Sequence, residues 1–134
     1  GNQVRCFSDI DDSLQLLDSL TFAKEANKMT INIGPDEEFI TINELYAKIA
    51  NLMGYNNSPI YLKGRPKEVK TAYCSASLAR EKFNYKTTIC LEDSLVKLID
   101  YIKNSPKREF KYFLDLEINN EFTPDSWSKK LFLS

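Results

Sequence analysis

The pattern of apolar and polar positions divides the chain into short alternating stretches and helical runs. Residues 4–7, VRCF, lean to a strand, and residues 11–26, DDSLQLLDSLTFAKEA, bring Leu14, Leu17 and Phe22 round at helical spacing. Residues 29–33, MTINI, alternate and stop at Gly34-Pro35, which predicts a strand with a turn behind it. Thr41 to Glu44 form a capping-box pattern ahead of Ile42, Leu45, Ile49 and Leu52, and Gly54 suits the left-handed exit, so a helix is predicted there. A short strand is expected at residues 60–62, IYL, followed by a basic, proline-interrupted loop. Ser75 is placed to cap a helix over Leu78, Ala79 and Phe83, with Asn84 at its exit. Residues 91–105 set Leu91, Leu95, Leu98, Ile99 and Ile102 on one face, with acidic residues at the start and lysine near the end, as the helix dipole favours. Residues 110–118, FKYFLDLEI, alternate as a strand, and Thr123-Pro124 opens a last helical turn through Trp127. Strands and helices interleave, so the fold class is mixed α/β.

Composition narrows the function. A chain of 134 residues is the size of one ordinary domain, with enough length for a core that needs no staples. A net charge of −1 gives no basic field for nucleic acid, so any anion site has to be local. No apolar run has the length of a membrane span, and the N-terminus GNQVRCFSD is not a signal peptide. The chain opens on polar residues without an initiating methionine, which reads as a piece of a longer protein. There is no histidine, and Cys6, Cys74 and Cys90 have no CxxC spacing. That excludes the common zinc sites and leaves reduced thiols of a cytoplasmic protein as the expectation.

Candidate chemistry is sparse. Without histidine the usual nucleophile–base pairs cannot form. Asp11/Asp12 and Glu92/Asp93 sit at helix starts, where capping and dipole roles are expected. Gly1, Gly34, Gly54 and Gly64 are too scattered for a phosphate loop, and no Tyr-x-x-x-Lys pair occurs. No catalytic residue, metal ligand or cofactor contact is therefore assigned to this chain. Two guanidinium forks, Arg5 and Arg65, could bracket a pyrophosphate, with Pro66 stiffening the loop of the second. Glu68 could accept from ribose hydroxyls or hold Arg65. The alternative is that both arginines are solvated surface charges.

Three stretches, in order, resemble one family. GNQVRCFSDIDDSLQLLDSL looks like the G-x-Q-x-R-x-F-x-x-V-D-D segment of extended short-chain dehydrogenase/reductases acting on nucleotide sugars. NIGPDEEFITINELYAKIANLMG is similar to that family's N-x-G-x-x-x-x-x-[ST]-I-x-E-L…I-x-x-x-x-G, with one extra residue before Thr41. RPKEVKTAYCSASLAREKFNYKTTICLEDSL resembles R-P-x-D/E-V-x-x-x-Y-x-x-x-x-K-A-x-x-x-L-G-[WY]-x-x-x-x-x-L-E-D-G-L. The resemblance covers residues 1 to about 105 and points to the C-terminal half of UDP-glucose 4-epimerase-like and UDP-glucuronate decarboxylase-like proteins.

It implies a substrate-binding lobe, residues 1–134, that closes over a nucleotide-diphosphate sugar. Residues 1–34 would lie near the junction with an N-terminal NAD-binding domain absent from this chain, and 106–134 would form a tail. NAD would act in the intact enzyme and not bind here. Arg5 and Arg65 would contact the pyrophosphate, Glu68 the ribose region, Tyr73 the adjacent wall, and Gln3 would join them. Epimerase, dehydratase and decarboxylase chemistry all remain open, and a non-catalytic binding or structural domain is the alternative of another class. Leu16, Leu17, Leu20 and Phe22 cannot all face so small a lobe, so self-association is expected. The departures from the pattern are Asp9 in place of an aromatic, Leu78 for lysine, Asn84 for glycine, Cys90 for the Ser/Thr cap and Ser94 for glycine.

Overall fold

The computed structural model describes residues 1–62, 64, 67–107 and 119–130. The elements run β1 (Val4–Arg5), α1 (Ile10–Phe22), a 3₁₀ turn at Lys24–Ala26, β2 (Ile40–Thr41), α2 (Ile42–Met53), β3 (Thr71–Ala72), α3 (Ser77–Phe83), α4 (Leu91–Asn104) and α5 (Asp125–Ser128). β1 is the middle strand of a three-stranded sheet. It pairs antiparallel with β2, Val4 opposite Thr41, and parallel with β3, Val4 opposite Thr71.

Helix α2 forms as its sequence predicts. The Thr41 hydroxyl accepts from the Glu44 N–H while the Glu44 carboxylate accepts from the Thr41 N–H, and Gly54 ends the helix at φ 63°. The next two donors of that helix lie outside its own ladder. Ile42 N–H donates to the Gln3 carbonyl at 3.0 Å and Asn43 N–H to the Gly1 carbonyl at 2.9 Å, so the lead-in to β1 satisfies them.

Two small cores flank the sheet. Leu16 of α1 packs with Ala76, Ala79 and Tyr85, and with the partly buried Ile31, Ile33 and Phe83. Ile40 of β2 packs with Leu91 and Leu95 of α4 and with Leu45, Ile49 and Leu52 of α2. On α4, Leu91, Leu95 and Ile99 are buried, whereas Leu98 and Ile102 of the same predicted face are exposed. α1 behaves similarly: Leu16 is buried, while Ile10, Leu14, Leu17 and Phe22 face outward.

Polar contacts join the two cores. Asp12, only 2% exposed, accepts from the Thr88 N–H at 3.0 Å, the Thr88 hydroxyl at 2.5 Å and the Ile89 N–H at 3.1 Å. Asp9 caps α1 through the Asp11 N–H and accepts from the Ser94 hydroxyl at 2.5 Å, and Lys97 reaches Asp11 at 3.1 Å. The predicted capping role falls to Asp9 and not to Asp11 or Asp12; both of these lie in the first turn, as the dipole role expects, and Asp12 also makes a tertiary bracket. In the loop after Gly34, Asp36 binds Arg80 through both carboxylate oxygens and accepts from the Ala76 N–H at 2.9 Å.

Three local expectations are corrected. Residues 29–33 and 60–62 form no ladder, and the partners of β1 are β2 and β3 instead. Ile31 and Ile33 nevertheless pack inward, and the Asn32 amide donates to the Ser75 carbonyl at 3.2 Å. The cap position of α3 is Ala76, although the Ser75 hydroxyl still accepts from the Ser77 N–H at 3.3 Å. The predicted strand at 110–118 lies outside the described residues.

The Asp12 bracket sets an acid response. Burial alone would raise its pKa, but the Thr88 hydroxyl and the Thr88 and Ile89 N–H groups outweigh it, and the pKa lies below the usual carboxylate range. The Arg80 guanidinium, with the Ala76 N–H, holds Asp36 at about 2. A folded pKa below the unfolded one contributes stability that is present above the unfolded value and lost as pH falls through the folded value. Asp12→Asn should therefore cost about 1–3 kcal/mol at neutral pH. The gap from wild type should narrow as pH drops below about 4. Urea midpoints measured from pH 7 to pH 3 test this, and equal midpoints at pH 7 would rule out the bracket.

Candidate nucleotide-sugar site

The lead-in to β1 and the loop that returns to β3 face one another. Val4 N–H donates to the Lys70 carbonyl at 2.8 Å, which fixes the loop end against the strand. Arg5 reinforces that contact from its side chain. One terminal nitrogen donates to the Val4 carbonyl at 2.7 Å and to Lys70 at 3.4 Å, and the other to the Val69 carbonyl at 2.9 Å. Arg5 is thus a tie between β1 and the 69–70 backbone, with its charge delivered at the loop end.

This tie brings Gln3 and Glu68 together. Both, with Gly1 and Gly64, line two adjoining cavities. The first, about 380 Å³, is also lined by Asn43 and Tyr46 of α2, residues 59–62 and Trp127 of α5. The second, about 390 Å³, opens toward Asn2 and Lys70. The Gln3 side-chain oxygen is buried without a hydrogen-bond partner. Tyr61 donates to Asn43 Oδ1 at 3.0 Å, and Tyr46 donates to the Asn57 carbonyl, so both phenols are fixed. Lys67 lies over the Phe122 ring at 5.8 Å, seating the C-terminal segment on the loop.

Tyr73 stands elsewhere. It meets Phe39 edge-on, centroids 5.2 Å apart, and lines a third cavity of about 310 Å³ with Cys6 and Cys74. Burial first, then Asp36, Cys74 and Glu38, push the Cys6 thiol up, which keeps it protonated and unreactive at neutral pH. All three cysteines are free. Of the sequence-predicted residues, then, the structure joins Gln3 with Glu68, sets Arg5 beside them as a tie, and puts Tyr73 in a separate cavity. Arg65 and Pro66 lie outside the described residues. Sequence reasoning missed Asn43, Tyr46, Tyr61 and Trp127. The capping box could have flagged Asn43 and Tyr46, whereas nothing local marks the other two.

No protein-family model matches the chain. A UDP-glucuronate 4-epimerase of Thermodesulfobacterium geofontis is 26% identical over 105 residues, covering 78% of this chain and 32% of that protein. The bifunctional polymyxin resistance protein ArnA of Wigglesworthia glossinidia brevipalpis is 42% identical over 59 residues, covering 42% of this chain and 9% of its own length. The crystal structure of a UDP-glucose 4-epimerase with UDP-glucose, from Thermotoga maritima, superposes with a TM-score of 0.70 at 25% identity. It covers 77% of this chain and 32% of that one. The chain carries a domain related to the UDP-sugar epimerases. It spans about a third of the length of the epimerases it matches. The part it spans is a small α/β lobe distinct from a dinucleotide-binding fold, since the described sheet has three two-residue strands in mixed orientation. Among the described residues no helix is long and apolar enough to cross a membrane, and no cluster of residues could hold a metal ion.

The Arg5 tie predicts a structural phenotype. Arg5→Ala should lower stability by about 1 kcal/mol, and should speed amide exchange at Val4, whose N–H shares the Lys70 carbonyl. Thermal unfolding and hydrogen exchange read both. Wild-type exchange at Val4 in the variant would return Arg5 to a plain surface charge.

Proposed function

We propose that this chain is the substrate-binding C-terminal lobe of an NAD-dependent nucleotide-sugar epimerase, gripping the pyrophosphate of a UDP-sugar. The meeting of Gln3 with Glu68 across two joined cavities, with Lys70 at the edge of the second, carries this reading. In a chain of net charge −1, the sequence at 63–70, KGRPKEVK, carries four cationic side chains. The relatives are named for UDP-sugars, which supplies the substrate class.

In this reading Glu68 accepts from the ribose hydroxyls and Gln3 supports the same segment. Arg65 forks onto the pyrophosphate, and Arg5 holds the loop that presents it. Tyr73, which lines a separate cavity, takes no part in this grip. NAD, which supplies the hydride chemistry of such enzymes, would be held by an N-terminal domain outside this chain. The described residues here offer no glycine-rich turn after a strand for it. The outward stripe of Ile10, Leu14, Leu17 and Phe22 on α1 is the face that docks on that domain.

Two measurements test this. Arg65→Ala should weaken UDP-glucose binding about 10- to 150-fold, from a charge-assisted bond of about 1.5–3 kcal/mol, with little change in thermal midpoint. Arg65→Lys should recover part of the loss, since an ammonium lacks the planar fork. Unchanged affinity in Arg65→Ala would sink the assignment. The isolated chain should also self-associate through α1, giving a concentration-dependent mass in light scattering that Leu14→Glu/Leu17→Glu abolishes. A strict monomer at high concentration would count against a docking face on α1.

A further inference from the structure

The first cavity is lined by three aromatic side chains. Trp127 of α5 is one, 52% exposed, in a segment beyond the residues that carry the resemblance. Tyr61 and Tyr46 line the same cavity, both held by their hydroxyl bonds. Gln3 lines it too, and its side-chain oxygen is buried and unpartnered. A buried acceptor with no donor is costly, so the site favours a ligand that brings an N–H or O–H to it. Aromatic lining together with a buried acceptor suits a planar heterocycle carrying N–H groups.

We infer that Trp127 stacks on the nucleobase of the bound nucleotide, making the C-terminal turn part of the substrate site. This rests on the proposed function and extends it to a residue and a ligand moiety that the resemblance does not reach. In this inference the base meets Trp127 in the first cavity, the ribose lies at the Gln3–Glu68 wall that both cavities share, and the phosphates reach into the second, which Lys70 lines. The segment bearing Trp127 is seated independently of any ligand. Trp127 N–H donates to the Pro124 carbonyl at 2.9 Å, and Phe122 of the same segment lies under Lys67 of the loop. The platform is therefore in place before binding, so little ordering cost falls on association.

Trp127 is the chain's only tryptophan, so its fluorescence reports this position alone. The experiment titrates the chain with UDP and with inorganic pyrophosphate, following fluorescence and calorimetric heat together. UDP should quench the emission saturably with the calorimetric Kd, and pyrophosphate should bind without changing the emission. Trp127→Ala should weaken UDP about 5- to 150-fold, the range of base–aromatic stacking. It should leave pyrophosphate affinity unchanged. Trp127→Phe should restore most of the loss. Half-exposed Trp127 is a safe position for folding, and matched circular dichroism of the variants checks it. If UDP binds wild type and Trp127→Ala equally and without quenching, the inference falls and the proposed function stands. If UDP gives no heat at all, both fall.

Discussion

A buried carboxylate with three donors fixes the layout of this lobe. Asp12 sits in the first turn of α1, and its partners lie in the stretch between α3 and α4, which has no ladder of its own. For the Thr88 and Ile89 N–H groups, Asp12 takes the place of a strand partner. The bracket is stable only as a whole, because burial penalises the charge and the three hydrogen bonds outweigh that penalty. It pulls the residues ahead of α4 onto α1. This joins the Leu16 core to the Leu91–Leu95 core. Arg5 lies on β1 and Gln3 just ahead of it.

β1 is only two residues long, yet every direction around it is occupied. β2 and β3 take its edges, its lead-in carbonyls take the first N–H groups of α2, and its arginine takes the carbonyls of 69 and 70. Rigidity therefore comes from convergence on one short segment and not from sheet area. Polar groups held this way are ordered in advance, which saves the cost of ordering them at any binding event.

What the sequence made legible follows from range. α2 and its capping box, the α4 span, the Asn84 exit and the final turn through Trp127 are all set by residues within one or two turns of each other, and each is where the pattern puts it. Strands were not legible. Alternation is clearest at 29–33 and 60–62, but pairing is decided by which segment reaches β1. Ile40–Thr41 and Thr71–Ala72 arrive there with almost no alternation to mark them. Asp12 was equally hidden, since its partners lie 76 and 77 residues along the chain. Gln3 and Glu68 were singled out by resemblance and are near each other in space. Tyr61 and Trp127 face the same cavity from segments with no shared motif, and only the fold relates them.

Asp9 and Ser94, both departures from the family pattern, meet in this chain. Where the pattern has an aromatic residue and a glycine, this chain has a carboxylate and a hydroxyl bonded at 2.5 Å. The Ser94 hydroxyl, and then the Asp11 N–H, hold the Asp9 carboxyl below its usual pKa, so it stays ionised as an acceptor. Asp9, Asp11 and Asp12 then reach Ser94, Lys97 and the Thr88–Ile89 pair respectively. Three acidic residues at one helix start could be mistaken for catalytic carboxylates. Their partners make them the seam between two cores.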